Sequence, residues 1–214
     1  MASAFPFRPV LPFFKALPGA EDRGVTERTY GIYTLAFRIF RVGALKFRMW
    51  REDTVLNLDL EWSAKHLRTR RVETSMRIQT AWDEPWQPRC VSSESVMVGL
   101  EDGEAITPVW RSERTVFEQP MLPGWAVLPV LERGLATRLP QPGVWLDHGV
   151  QEKPGYSFSP PRTRELRLPK SEQAQRFEVV WWAGRGNPPW CFALDGAGRL
   201  AMAVSGIEAY VRES

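Results

Sequence analysis

The sequence predicts a mostly β fold. It is read as a single domain with a curved antiparallel sheet, half-barrel or barrel-like, and one or two short helices packed on its apolar face. Three observations predict it. Apolar and polar residues alternate with period 2 along the first half of the chain, the pattern of strands with one packed and one wet face. The stretch from Phe177 to Arg212 holds short aromatic and β-branched runs cut by Gly, Asn, Asp and Pro, which reads as an antiparallel meander. Composition supplies the third. With 43% hydrophobic and 25% charged residues, and ten Trp in 214 residues, the chain is globular and can fill a sizeable core.

Residues 1–24 read as an apolar N-terminal arm and residues 25–214 as the β domain. In the arm, Phe5, Phe7, Val10, Leu11, Phe13, Phe14 and Leu17 are too apolar to leave in water. The arm is therefore expected to dock on the domain, over an open edge or mouth, the alternative being a partner or membrane surface. It has no basic n-region, and Pro6, Pro9 and Pro12 interrupt any continuous apolar region, so it is not read as a secretory signal. No apolar run reaches the roughly 18 residues of a transmembrane helix. The expected location is the cytoplasm, with the cell envelope as the alternative.

Tyr30 to Arg41 alternates, with Tyr33, Leu35, Phe37 and Ile39 on one side, and Val42-Gly43 reads as the turn after it. Leu45, Phe47 and Met49 continue the pattern. Val55 to Trp62 is the cleanest period-2 segment: Leu56, Leu58, Leu60 and Trp62 share one face, and Asn57, Asp59 and Glu61 are expected in water. Lys65 to Arg71 reads as a basic connection. Val72 to Trp82 is a long strand, with Val72, Thr74, Met76, Ile78, Thr80 and Trp82 on one face. Two more strands are expected at 89–100 and 105–117. Within the Pro-punctuated region 119–150, Trp125 to Leu139 is expected to hold a short helix across the sheet, with Leu128, Leu131, Leu135 and Leu139 at helical spacing. Residues 151–163 read as an exposed loop and 164–169 as a short strand. In the meander, turns are expected at 184–189 and 195–198.

Little of the sequence carries recognisable chemistry. His66 and His148 have no second ligand at metal spacing, so no metal site is expected. No G-x-S-x-G elbow is present, and Gly184-Arg185-Gly186 lacks the later Gly, the Lys and the helix of a phosphate loop. The acidic pairs Glu52-Asp53, Asp83-Glu84 and Glu101-Asp102 fall in predicted turns, where carboxylates are solvated. No cofactor is expected, and a non-enzyme is favoured over an enzyme. Cys90 and Cys191 lie far apart without a CxxC. They allow one long-range disulfide or two thiols, and their apolar neighbours favour buried thiols in a reducing compartment.

Of 28 basic residues only five are Lys, and the formal net charge is +3. Arginine pairs with carboxylate or phosphate and stacks on aromatics. Arg48, Arg51, Arg68, Arg70, Arg71 and Arg77, interleaved with Trp, therefore form a candidate nucleic-acid surface. Most Trp, however, fall on the apolar side of their strands.

Three features carry a resemblance. They are the early Gly-containing segment Ile39 to Leu45, the Pro- and Leu-rich middle from Leu122 to Leu139, and the final Pro188-Pro189-Trp190 followed by Ala193 to Leu200. On these the chain resembles DUF3108-like bacterial proteins of unknown function, whose sheets are similar to those of LolA-type lipoprotein carriers. The resemblance implies a strongly curved sheet wrapping a helix, with an apolar concavity, and no catalytic residues. The functional expectation is a non-enzymatic domain that holds a lipid-like or other hydrophobic ligand, or a partner's segment, in that concavity. The expected lining is Leu35, Phe37, Leu56, Leu58, Leu60, Trp62, Ile78 and Trp181. The competing expectation is a filled core with no cavity. Nucleic acid bound by the arginine surface is the alternative function.

Overall fold

The alternating N-terminal half forms six long strands: β1 (Val25–Thr34), β2 (Phe40–Glu52), β3 (Val55–Leu67), β4 (Arg70–Ala81), β5 (Pro88–Gly99) and β6 (Ala105–Arg114). The remainder forms β7 (Leu122–Pro123), α1 (Val127–Glu132), β8 (Gly143–Asp147), β9 (Gln151–Phe158), β10 (Arg162–Arg167), β11 (Ala174–Ala183), β12 (Trp190–Leu194), β13 (Leu200–Ser205) and β14 (Glu208–Arg212). The structure is a computed structural model that describes residues 6–14, 24–36, 38–67, 70–99, 105–135, 138, 141, 143–147, 151–167, 174–184 and 188–214. Its strands make one 14-stranded sheet, ordered β6-β5-β4-β3-β2-β1-β14-β13-β12-β11-β9-β8-β7, with β10 beside β11. The β7–β8 pair is parallel.

The first strand meets the last, Tyr30 lying opposite Arg212. The two ends of the strand path also approach each other. The Met121 N–H donates to the Trp86 carbonyl at 2.8 Å, and Arg114 of β6 reaches Glu152 of β9 at 2.6 Å. A single-domain, mostly β, curved and barrel-like sheet with one short α-helix is thus the observed architecture.

The two faces are packed by different parts of the chain. On the inner face, Leu56, Leu58, Leu60 and Ile78 are 0–3% exposed and pack with Leu128, Val130 and Leu131 of α1. On the outer face of β1 and β11–β14 lies a second core. There Phe7, Val10, Leu11 and Phe14 cover Phe177, Val179, Cys191, Met202 and Val211. The arm segment 6–14 therefore lies over a sheet face rather than an edge or mouth. Strands buried on both faces read as continuous apolar runs, which explains why Leu200 to Val204 shows no alternation.

Three local features depart from expectation, and the helix does not. Strand β1 ends at Thr34 and β2 begins at Phe40, and Gly43 lies inside β2 opposite Ala64. A Cβ there would collide with the Ser63 carbonyl oxygen, so this Gly marks close backbone approach and not a turn. The last apolar run is two strands, split at Gly206-Ile207. The segment 151–158, expected as loop, is β9; its Pro154 lies opposite Val144, beside a register irregularity that leaves Gly155 without a partner. The short helix expected within 125–139 is α1, which ends at Glu132, and Gly134 adopts φ +65° just beyond it, a left-handed stop that favours Gly. Pro129 sits in its first turn, where the N–H has no intrahelical acceptor to lose. Leu139 lies outside the described residues.

Asn57, expected in water, is 3% exposed. It accepts from Gln79 Nε2 at 2.9 Å and donates to Glu52 at 3.4 Å, which satisfies its amide under the long side chains around it.

A buried ionic network fixes the β12–β13 turn. Arg212 Nη2 donates to Asp195 Oδ2 at 2.8 Å, and both residues are buried. Asp195 Oδ1 accepts the Ala197 and Arg199 N–H groups at 2.9 and 3.0 Å. Glu132 at the end of α1 accepts the Leu200 N–H at 2.9 Å, and Tyr30 Oη donates to the Leu200 carbonyl. Burial alone would raise the Asp195 carboxyl. The hydrogen bond from Arg212, with those from the Arg199 and Ala197 backbone, outweighs burial and holds it below the usual carboxylate range.

Candidate functional site

The inner face is not filled throughout. Above the aliphatic layer of Leu56, Leu58 and Ile78 the packing gives way to a pocket of about 320 Å³. Its walls come from distant parts of the sequence. Strands β3 and β4 supply Leu60, Trp62, Thr74 and Met76. The turn into α1 supplies Gly124, Trp125 and Val127, and β8 supplies Trp145. Strands β11 and β12 supply Trp182, Trp190 and Phe192, and β14 supplies Glu208 and Tyr210. Five tryptophans thus converge on one space, and four of them (Trp62, Trp125, Trp145 and Trp190) keep part of their surface in solvent.

Ladder register places the rings. Trp182 lies opposite Trp190, and Val180 opposite Phe192, so these side chains share the inner face. Trp125 meets Trp190 edge-on at 5.3 Å and Tyr210 at 4.8 Å. Trp145 meets Trp182 edge-on at 5.1 Å. Edge-to-face contacts of this kind are favourable and hold rings in fixed orientations.

Polar groups in the pocket are few and linked. Trp62 Nε1 donates to Tyr210 Oη at 3.3 Å, and Tyr210 Oη donates to Glu208 Oε2 at 3.0 Å. This chain bridges β3 to β14 across the inner face. Burial, and then the neighbouring Glu208 charge, push the Tyr210 phenol well above its ordinary value, so it remains a donor. Trp145 Nε1 donates to the Gly124 carbonyl at 3.3 Å. Glu208 is the one charged side chain among the described lining residues. Among the described residues no group of three His, Cys, Asp or Glu side chains is placed to hold a metal ion.

Of the residues expected to line a concavity, Leu60 and Trp62 line this pocket. Leu56, Leu58 and Ile78 lie in the filled core below it. Leu35 packs against the outer core under the arm. Trp181 points to the outer face with Val179 and Cys191 and is 37% exposed; its neighbour Trp182 takes the inner position. Phe37 lies outside the described residues. Sequence reading missed Trp125, Trp145, Trp190 and Tyr210. They lie on segments too short to show a period, so no local signal marks them.

Arg48 and Arg77 flank Asp59 in the ladder, and the described candidate arginines are engaged by neighbours. Arg77 is held by Asp59 at 2.8 Å, Arg71 lies 2.7 Å from Glu73, and Arg48 lies 3.5 Å from Glu27. Arg51 donates to the Asp53 carbonyl and lies over Trp82, and Arg70 donates weakly to Met97 Sδ. Arg68 lies outside the described residues. Two outer-face grooves of about 700 and 450 Å³ are lined by Asp59, Glu61, Glu94 and Glu113 as well as by Arg77 and Arg111. Guanidiniums paired in this way offer less to phosphate than an unpaired basic stripe does.

No helix of the described residues is long and apolar enough to cross a membrane. No family model matches the chain, and no curated protein does. Among solved structures, the chain is similar to a β-barrel-like protein of the domain of unknown function DUF1849 from Brucella abortus. The TM-score is 0.50 at 7% identity, covering 87% of this chain and 93% of that one. At this identity the likeness shows one thing, that the sheet is β-barrel-like.

Proposed function

We propose that this chain is a non-enzymatic binding protein whose aromatic pocket holds a hydrophobic ligand or an apolar segment of a partner. One observation carries the reading: five tryptophans surround about 320 Å³ on a face that is otherwise tightly packed. Aromatic walls with a few placed polar groups are what small-ligand pockets are made of. Each Trp that keeps surface in water forgoes burial worth about 25 cal/mol per Å², and a ligand would recover it. The kinship with DUF3108-like, LolA-type carriers belongs to this proposal, supported by the curved sheet and the helix against its inner face. A reducing compartment belongs to it too, supported by the free thiols of Cys90 and Cys191.

The test is a titration with the apolar fluorophore N-phenyl-1-naphthylamine, read by energy transfer from tryptophan. Saturable, roughly 1:1 binding that is lost in the Trp125→Ala/Trp190→Ala double variant supports the proposal. Absence of saturable binding, or equal binding by a folded double variant, overturns it.

A further inference from the structure

The polar groups of the pocket specify more than an apolar occupant. Three of its hydrogen-bond donors are already engaged: Trp62 Nε1 by Tyr210, Trp145 Nε1 by the Gly124 carbonyl, and Tyr210 Oη by Glu208. The indole N–H groups of Trp125, Trp182 and Trp190 also belong to the lining, so a cation is favoured by the ring faces and the carboxylate and not by a shortage of donors. What the lining does offer is negative potential. The faces of tryptophan rings are electron-rich, and the one charged lining side chain is a carboxylate. Glu208 Oε2 accepts from Tyr210, while Oε1 has no hydrogen-bond partner among the described residues. Lys153 Nζ lies 5.1 Å from the Trp145 ring centre, and its charge disfavours a second cation there, which leaves the side of Trp62, Trp125 and Trp190 for the ligand.

We infer that the pocket takes a cationic ligand of the quaternary ammonium class, its methyl groups on the faces of Trp62, Trp125 and Trp190 and its charge balanced by Glu208. A primary ammonium has three N–H groups to satisfy, and Glu208 Oε1 is the one carboxylate oxygen of the described lining without a hydrogen-bond partner. A quaternary ammonium has none, and its apolar methyl surface carries the charge. Aromatic cages with a nearby carboxylate suit that chemistry. The inference deepens the binding function proposed above and rests on it.

Three soluble probes separate the two. Choline is the cation; 3,3-dimethyl-1-butanol has the same shape with carbon in place of nitrogen; 1-decanol is apolar without a cation mimic. Each is titrated into the full chain by calorimetry and ligand-observed NMR. The expected result is that choline binds roughly tenfold tighter than its neutral isostere, within the range of cation–π recognition. Glu208→Gln should weaken choline by roughly fivefold to tenfold and leave the isostere unchanged. Trp190→Ala, with its fold checked by circular dichroism, should weaken both. If 1-decanol binds while choline binds no better than its isostere, the cationic inference is overturned and the hydrophobic pocket stands. If none of the three binds, both are overturned.

Discussion

Cys90 and Cys191 both point to the outer face of the same sheet, yet one is half-exposed and the other is fully buried. Cys90 is on β5, in the half of the sheet where Asp59, Glu61, Arg77 and Glu94 meet water. Cys191 is on β12, under the N-terminal segment that carries Phe7, Val10 and Phe14. The two halves share a sheet and a curvature and differ in whether the second face is covered. Coverage decides composition: the open half alternates, and the covered half is apolar on both sides. It also places the pocket, whose walls are drawn from both halves and from the short helix between them.

The largest contrast should appear in thiol chemistry. Burial pushes the Cys191 thiol up to about 12, and only an opening of the covered half would expose it. Native alkylation with iodoacetamide at pH 8 should modify Cys90 and spare Cys191 by about 10³-fold or more, since opening a stable core costs several kcal/mol. Equal rates, followed by mass spectrometry of the peptides, would show that the arm does not seal that face.

Next in size is the buried network of the covered half. Asp195→Asn removes the charge facing Arg212, and breaking a buried pair from one side costs about 3–5 kcal/mol. Urea unfolding should show the loss. The pH dependence has a definite sign. The Asp195 carboxyl is held below its ordinary 3.8 in the folded chain. Its contribution is therefore fully present above that value and is lost as the pH falls through the lower folded one. The variant should lack this part of the acid sensitivity.

A smaller effect is expected where β2 crosses β3. Gly43→Ala places a methyl group against the Ser63 backbone and should cost about 1–3 kcal/mol through strand displacement. A neutral result would return Gly43 to a turn-like role. The smallest belongs to the open half. Arg77→Ala breaks an exposed ion pair with Asp59 and should change stability by less than about 1 kcal/mol.

Legibility in the sequence follows the same division. Leu56, Leu58 and Leu60 announced their face because Asn57 and Asp59 lie between them. In β11, Phe177 and Val179 are buried on one side and Val180 and Trp182 on the other. From Val179 to Trp182 no polar residue marks a face, so Trp181 and Trp182 could not be told apart by period. The pocket was hidden for a further reason. Trp62, Trp125, Trp145 and Trp190 come together through long-range pairing, and no local pattern encodes that pairing. Gly43 was misread because Gly signals turns and close approaches alike.

The most direct test of the pocket uses the ten tryptophans as reporters. With 5-fluorotryptophan incorporated, each gives one ¹⁹F resonance, assigned by single Trp→Phe variants. Addition of 1-decanol should shift Trp62, Trp125, Trp145 and Trp190 and leave the outer-face Trp50 and Trp181 unchanged. Shifts confined to Trp50 and Trp181, or no shifts at all, would contradict a ligand site on the inner face.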